Sequence, residues 1–322
     1  MNRILVIGAA GMIGRKLLQK LAQGGSLGAS RIAHATLHDV VAPQPPPGAP
    51  FQVRSVASDL SLEGEADKLV AERPGVIFHL AAVVSGEAEA DFEKGYRVNL
   101  DGTRQLFEAI RRVGAGYKPR VVFTSSIAVF GAPFPGAIGD EFLSAPLTSY
   151  GTQKAMAELL LSDYTRRGFF DGIGIRLPTV CVRPGKPNRA ASGFFSGIIR
   201  EPLNGQEAVL PVSEDVRHWH ASPRAAVGFL LHAAVLAGER IGPRRNLTMP
   251  GLSVTIAEQI AALRRVAGDA PARLIRREPD PAIMRIVQGW PQNFDAQRAR
   301  ELGFQADASF EEIIKIYIEE EL

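Results

Sequence analysis

Three glycines within seven residues, set between an apolar strand and an amphipathic helix, dictate how this chain begins to fold. Residues 3–7 (Arg3-Ile4-Leu5-Val6-Ile7) form a short apolar run, residues 12–23 repeat apolar side chains at helical spacing, and Gly8-Ala9-Ala10-Gly11-Met12-Ile13-Gly14 joins them. Gly8 permits a tight turn, Gly11 lets a pyrophosphate approach the backbone, and Gly14 lets helix and strand pack closely. The helix start adds free N–H groups and partial positive charge near Met12 and Ile13, so a dinucleotide fits there.

The pattern continues. Short apolar runs at 33–37, 76–80, 120–124 and 173–177 alternate with amphipathic stretches at 91–113 and 150–164. Strands without polar alternation are what a parallel sheet covered on both faces requires, and the intervening helices supply its crossovers. The expected architecture is α/β: a Rossmann-like doubly wound parallel sheet. With 322 residues, 46% of them hydrophobic and 22% charged, the chain can bury one large or two coupled cores, and disorder is excluded. After residue 177 the sequence becomes rich in proline and glycine, returns as an apolar helix at 222–237 and a short strand at 245–249, and then ends in helices. We therefore expect residues 1–177, rejoined by about 215–249, to form the dinucleotide-binding domain. Residues 178–214 and 250–322 would form a smaller, discontinuous substrate-binding domain. The proline run at 43–50 reads as a surface loop.

Composition limits the partners. The net charge is +3 and the basic residues fall in scattered pairs, which argues against nucleic acid. No uncharged apolar stretch reaches membrane-spanning length, so no membrane partner is expected. Cys181 is the single cysteine and the six histidines are scattered, so neither a disulfide nor a zinc cluster is expected. A reducing cytoplasm fits this usage.

Asp39 ends the second strand, where a carboxylate accepts hydrogen bonds from both hydroxyls of an adenosine ribose and repels a 2′-phosphate; NAD is favoured over NADP. The longer gap before it is assigned to an insertion at 24–30. Tyr150 and Lys154 stand four residues apart at a helix start, on one face. A nearby ammonium stabilises a phenolate, so this tyrosine can take a proton from a substrate alcohol. Ser125 and Ser126 end a strand at the sheet edge where such folds bind ligands.

Taken in order, Gly8 to Gly14, Asp39, Asp59-Leu60, His79-Leu80-Ala81-Ala82, Asn99, Ser125-Ser126, Val129-Phe130-Gly131 and Tyr150-x-x-x-Lys154 resemble the extended short-chain dehydrogenase/reductase family, over about half the chain. The resemblance implies catalytic Ser126, Tyr150 and Lys154. It also implies that Asn99 holds the helix geometry, that Asp59 and Leu60 lie along the adenine, and that Ala81 and Ala82 lie beside the cofactor ribose and phosphates. Pro178 is expected at the cofactor as well.

A closer resemblance covers Val83 to Glu89, Arg176 to Asn188 and Arg217 to Arg224, and points to the branch that oxidises the 2-hydroxyl of a small sugar acid with NAD. Phe130 in place of the usual tyrosine, and Thr179-Val180-Cys181-Val182 in place of Asn-Val-Tyr-Gly, weaken a nucleotide-sugar substrate. A carboxylate substrate needs a cationic clamp, and Arg183 and Arg217 are the candidates, Arg217 preferred; a surface ion pair is the alternative for each. Ser85 either touches nicotinamide or substrate, or caps a loop. His218, His220 and Cys181 read as structural. Leu106, Phe107 and Ile110, with Met156, Leu159 and Leu160, can be read as plain core, but in relatives the corresponding two helices pair with a partner's, so the resemblance implies a homodimer. Two rivals remain: a nucleotide-sugar epimerase or dehydratase that retains its NAD, and a non-catalytic dinucleotide sensor.

Overall fold

The computed structural model describes residues 2–185 and 192–322; Lys186, Pro187 and Asn188 of the motif above lie outside the described residues. The strands are β1 (Asn2–Ile7), β2 (Ser26–Leu27), β3 (Ser30–Asp39), β4 (Gln52–Ala57), β5 (Val76–His79), β6 (Arg120–Ser126), β7 (Asp171–Leu177), β8 (Thr179–Val180), β9 (Ala208–Leu210), β10 (Arg217–Ala221), β11 (Asn246–Thr248), β12 (Leu252–Thr255) and β13 (Ile275–Arg277). The helices are α1 (Met12–Gly24), α2 (Glu65–Val70), α3 (Ser85–Ala90), α4 (Phe92–Tyr96), α5 (Gly102–Val113), α6 (Ser149–Arg166), α7 (Gly193–Leu203), α8 (Pro223–Val235), α9 (Gly238–Ile241), α10 (Ile256–Ala267), α11 (Asp269–Ala272), α12 (Pro281–Gln288), α13 (Gln297–Glu301) and α14 (Phe310–Glu321).

The large sheet runs β11-β7-β6-β5-β1-β3, with β2 and β4 both paired to β3. Every pairing in it is parallel except β2 with β3. The central strands are apolar on both sides because helices cover both faces. Ile4 and Val6 of β1 point into a core with Leu17, Leu18 and Leu21 of α1 and Phe229 and Leu230 of α8. Leu5 and Ile7 point the other way, into a core with Leu106, Phe107 and Ile110 of α5 and Leu161 of α6. The strand order reverses at β1, which has β3 on one side and β5 on the other. A crevice therefore opens at the carboxyl end of β1, and ligands of doubly wound sheets bind at such a point.

A second core gathers Phe195 and Ile198 of α7, Ile260 and Leu263 of α10, and Ile313 and Ile314 of α14. Beside it lie a three-stranded sheet, β12-β10-β8, and the pair β13-β9. Ala299 of α13 and the nearby Phe304 belong instead to the core under the large sheet.

Several elements differ from the sequence reading for physical reasons. Residues 26–31 are a short antiparallel extension of the sheet, because Ser26 pairs with Arg31 and Leu27 with Ser30. The stretch 52–57 is an outer strand, exposed along much of its length, so it carries no apolar run to announce it. The expected helix at 91–113 is α4, a π-helical turn at Arg97–Asp101, and α5.

Candidate active site

The glycine turn is pinned on two sides. Gly8 N and Ala9 N both donate to the His38 carbonyl of β3, and Ala10 N donates to Asp39 Oδ2 at 2.9 Å. A Cβ on Gly14 would lie 2.3 Å from the Gly8 carbonyl oxygen, so only glycine lets α1 start this close to β1. Gly11 is the N-cap of α1, no side chain caps that end, and no acidic residue stands in its first turn. The N–H groups around Met12 and Ile13 are thus left to a ligand, with the helix dipole behind them. Asp39 Oδ1 accepts from Val40 N at 2.8 Å, and its partly exposed carboxylate closes the end of β3. An uncapped helix end, a side-chain-free approach at Gly11 and a carboxylate at the strand end together fit a dinucleotide.

Around this turn the remaining cofactor-side residues divide. Ala81 and Ala82 follow β5 and stay partly exposed, with the Ala81 backbone against Gly8. Asp59 accepts from Ser61 N, Ser61 Oγ and Arg97 Nη1, which hold its carboxyl below the usual range against the opposing effect of partial burial, the largest single influence. Leu60 is buried in the core beneath α2 and α5, so it can offer a ligand only its backbone. Pro178 is buried between β7 and β8. Asn99 is 1% exposed and fully engaged: Oδ1 accepts from Val83 N, and Nδ2 donates to Val83 O and to Gln153 Oε1. It braces the segment after Ala82 from behind and has no free polar edge for a cofactor. Ser85 opens α3, whose N-cap is Val84 without a side-chain cap, so Ser85 is not the capping residue of that helix.

The chemical centre is built by α6 meeting the end of β6. Thr148 caps α6 through Gly151 N, and a Cβ on Gly151 would lie 2.1 Å from the Ala128 carbonyl oxygen. Glycine there seats the helix start on the turn Ile127–Val129, whose N-cap is Ser126. Tyr150 comes to lie beside Ser126. Lys154 is 1% exposed; its Nζ donates to the Thr124 carbonyl at 2.8 Å and sits 5.8 Å from the Tyr150 ring centroid and 4.6 Å from that of Phe123.

Burial pushes the Tyr150 phenol above its ordinary pKa, while the neighbouring Ser126 hydroxyl and then the Arg183 charge pull it back. Burial also takes Lys154 down to about 7, against the raising effect of Glu158. Lys154 therefore sits where its charge state is sensitive near neutral pH, under the ring rather than at the phenol oxygen.

The two candidate clamps are held in opposite ways. Arg217, at the start of β10, donates to the Ser253 carbonyl at 2.8 Å and faces Glu258 at 3.4 Å. Arg183 donates from Nε to Val180 O and from Nη2 to Ser192 Oγ, and no carboxylate pairs with it among the described residues. The stretch 186–191, Lys-Pro-Asn-Arg-Ala-Ala, contains no acidic side chain. Arg183 is also the arginine whose charge acts on Tyr150. Of the two, Arg217 is the one that faces a carboxylate, although the sequence reading preferred it.

His218 and His220 are both buried. Burial drives His218 down to about 4, and it bonds Thr179 Oγ1 at 2.7 Å and Pro291 O at 3.0 Å. Cys181 is buried, its thiol pushed up to about 12 by that burial. Leu106, Phe107 and Ile110 are fully buried in the chain's own core, so they cannot form a seam with a second copy; Leu159, 72% exposed, faces outward. Sequence reading passed over Glu158 and Arg176, which only the packing of α6 on β7 brings together.

Residues 4–229 match the NAD dependent epimerase/dehydratase family. The chain belongs to that family. It is 51% identical over 321 residues to the D-erythronate dehydrogenase of Cupriavidus necator, covering 98% of each chain. It is 41% identical over 317 residues to the D-erythronate dehydrogenase of Haemophilus influenzae, covering 98% of this chain and 99% of that one. Among solved structures it is similar to the nucleoside-diphosphate-sugar epimerase from Agrobacterium tumefaciens, with 67% identity, a TM-score of 0.98, and coverage of 99% and 94%. As a member of the NAD dependent epimerase/dehydratase family, the chain places its glycine turn, Asp39 and the Ser126, Tyr150 and Lys154 cluster around one crevice at the carboxyl edge of the large sheet. No helix among the described residues is long and apolar enough to cross a membrane.

Proposed function

We propose that this protein oxidises the 2-hydroxyl of a small sugar acid, D-erythronate to 2-oxo-D-erythronate, with NAD as cofactor. The observation that carries the reading is Arg183: a half-buried guanidinium whose charge acts on Tyr150, with no carboxylate partner among the described residues. A buried cation without an anionic partner is unfavourable unless a ligand supplies the anion. A sugar acid does so, and guanidinium grips carboxylate with two parallel hydrogen bonds. The two full-length relatives named D-erythronate dehydrogenase support the same substrate.

The glycine turn from Gly8 to Gly14, with Asp39, Ala81 and Ala82, would hold NAD, which when bound supplies the hydride acceptor. Ser126 donates to the substrate oxygen and orients it. Tyr150, as phenolate, takes the hydroxyl proton, and the Lys154 ammonium stabilises that phenolate. Asn99 supports the wall behind these groups, and Ser85 faces the substrate from the start of α3. Arg217 serves the fold through Glu258 and Ser253.

A panel of four- to six-carbon sugar acids, including both enantiomers of erythronate and of threonate, tests the reading by absorbance at the NADH band. Net NADH with D-erythronate is the expected result, and no NADH from any sugar acid would sink it. A second reading, nucleotide-sugar epimerisation with retained NAD, is favoured by the description of the Agrobacterium tumefaciens relative. It calls for isomerised nucleotide sugar without net NADH.

We further propose a cytoplasmic homodimer in which the exposed Leu159 of α6 lies at the contact; Leu159→Glu is expected to halve the mass seen by light scattering. The division into a dinucleotide-binding part, residues 1–177 with about 215–249, and a substrate part, 178–214 with 250–322, is proposed too. It is supported by the separate core of α7, α10 and α14, although Ala299 of α13 and Phe304 pack under the large sheet with the first part.

A further inference from the structure

Tyr150, Lys154 and Glu158 follow one another at intervals of four on α6, hence on one face of the helix. Each docks on one of three consecutive residues that end β6. Tyr150 lies beside Ser126, Lys154 Nζ meets the Thr124 carbonyl, and Glu158 Oε1 accepts from Ser125 Oγ at 2.5 Å. Glu158 is held further by Arg176 of β7, the register partner of Ser125. Arg176 Nε donates to Oε1 at 2.9 Å and Nη2 to Oε2 at 2.7 Å, while the guanidinium lies 4.8 Å from the Phe130 ring centroid. The side chains of Arg176 and Glu158 are only 13% and 4% exposed.

A fully buried ammonium bonded to a single carbonyl needs negative charge nearby, and the groups around Lys154 show where it comes from. Beneath it on β5 stands His79, buried and neutral. From the π-helical turn come the uncharged Asn99 and, beside it on α6, Gln153. Tyr150 is a neutral phenol until the reaction. Glu158 is the acidic group whose charge acts on Lys154.

We propose that Glu158 is a positioning residue for the reaction: fixed by Ser125 and Arg176, its carboxylate keeps the Lys154 ammonium charged beneath the Tyr150 ring. This rests on the reading of Tyr150 and Lys154 as the proton-transfer pair. Removing the carboxylate leaves the Arg176 charge facing Lys154, which then loses its proton at lower pH. Removing the guanidinium leaves the carboxylate, and Lys154 holds its proton to higher pH.

The test combines pH profiles of kcat/KM for sugar-acid oxidation with an NMR titration of ¹³Cε-labelled lysine, Lys154 being assigned by its absence in Lys154→Arg. Glu158→Gln, which keeps the size and one acceptor oxygen while removing the charge, is expected to move the alkaline limb and the Lys154 titration down by about one pH unit. Glu158→Asp restores both, and Arg176→Met moves both upward. Unmoved titration in Glu158→Gln, or displacement in the same direction in Glu158→Gln and Arg176→Met, overturns the proposal. If one of these two variants fails to fold, the other decides by the sign of its shift. If the parent protein oxidises no sugar acid, the functional reading fails, while the NMR titration still decides the role of Glu158.

Discussion

Two cations act on Tyr150, the buried Lys154 and the half-buried Arg183, and the protein treats them differently. Lys154, on the sheet side, rests on the Thr124 carbonyl and has Glu158 one helical turn away, itself clamped by Ser125 and Arg176. Arg183 has a carbonyl and a hydroxyl but no carboxylate among the described residues. The first charge is balanced by the chain itself. The second has no such balance among the described residues, which is why the proposed function gives Lys154 to the proton acceptor and Arg183 to the substrate carboxylate.

That contrast can be broken in graded ways. Tyr150→Phe removes the proposed proton acceptor and is expected to lower kcat by about three orders of magnitude while NAD binding, followed by tryptophan quenching or calorimetry, stays near its parent value. Next, Arg183→Met is expected to raise KM for the sugar acid about 10- to 100-fold, the loss of a charge-assisted bidentate contact. Arg217→Ala should leave that KM within about twofold; a larger rise would move the clamp to β10. The two sides also separate in stability. Replacing Glu158 by Leu strands Arg176 and is expected to cost about 3 kcal/mol or more in urea unfolding, whereas Arg183→Met removes an unpaired charge and leaves stability unchanged or higher.

The smallest effect concerns pH. His79 donates from Nε2 to Thr103 Oγ1 and stands neutral, because burial, aided by the Lys154 charge, takes its pKa down to about 3. An unfolded histidine protonates near pH 6.5, so the neutral folded form is increasingly penalised as pH falls from there toward 3. Urea midpoints should show this as up to about 1.4 kcal/mol lost per pH unit below 6.5, and His79→Gln should flatten that slope.

How much of this could be read from the chain depends on whether the signal is local. The glycine turn, the apolar strands and the Tyr150–Lys154 spacing are local patterns, and each has its element in the structure. The choice between Arg183 and Arg217 is not local, because it turns on Glu258, remote in sequence from both. Leu106, Phe107 and Ile110 have the same periodicity whether they face a core or a partner; only the packing of α5 on the sheet shows that they face inward. The outer strand β4 is half polar, since an edge needs little apolar surface, and so left no pattern to recognise.

The π-helical turn at Arg97–Asp101 has a consequence of its own. Such a turn holds one residue more than the regular helix, so it works as an inserted step between α4 and α5. Deleting Leu100 would close the turn to regular α-helix and shift the side chains within it, Asn99 among them, by about one position, or 100°, around the helix. Asn99 would swing off the Val83 backbone, and the wall it braces would lose its anchor without any residue of the reacting centre having been touched. A single-residue deletion here should thus do what a point substitution cannot: dismantle the pocket by a slip in phase.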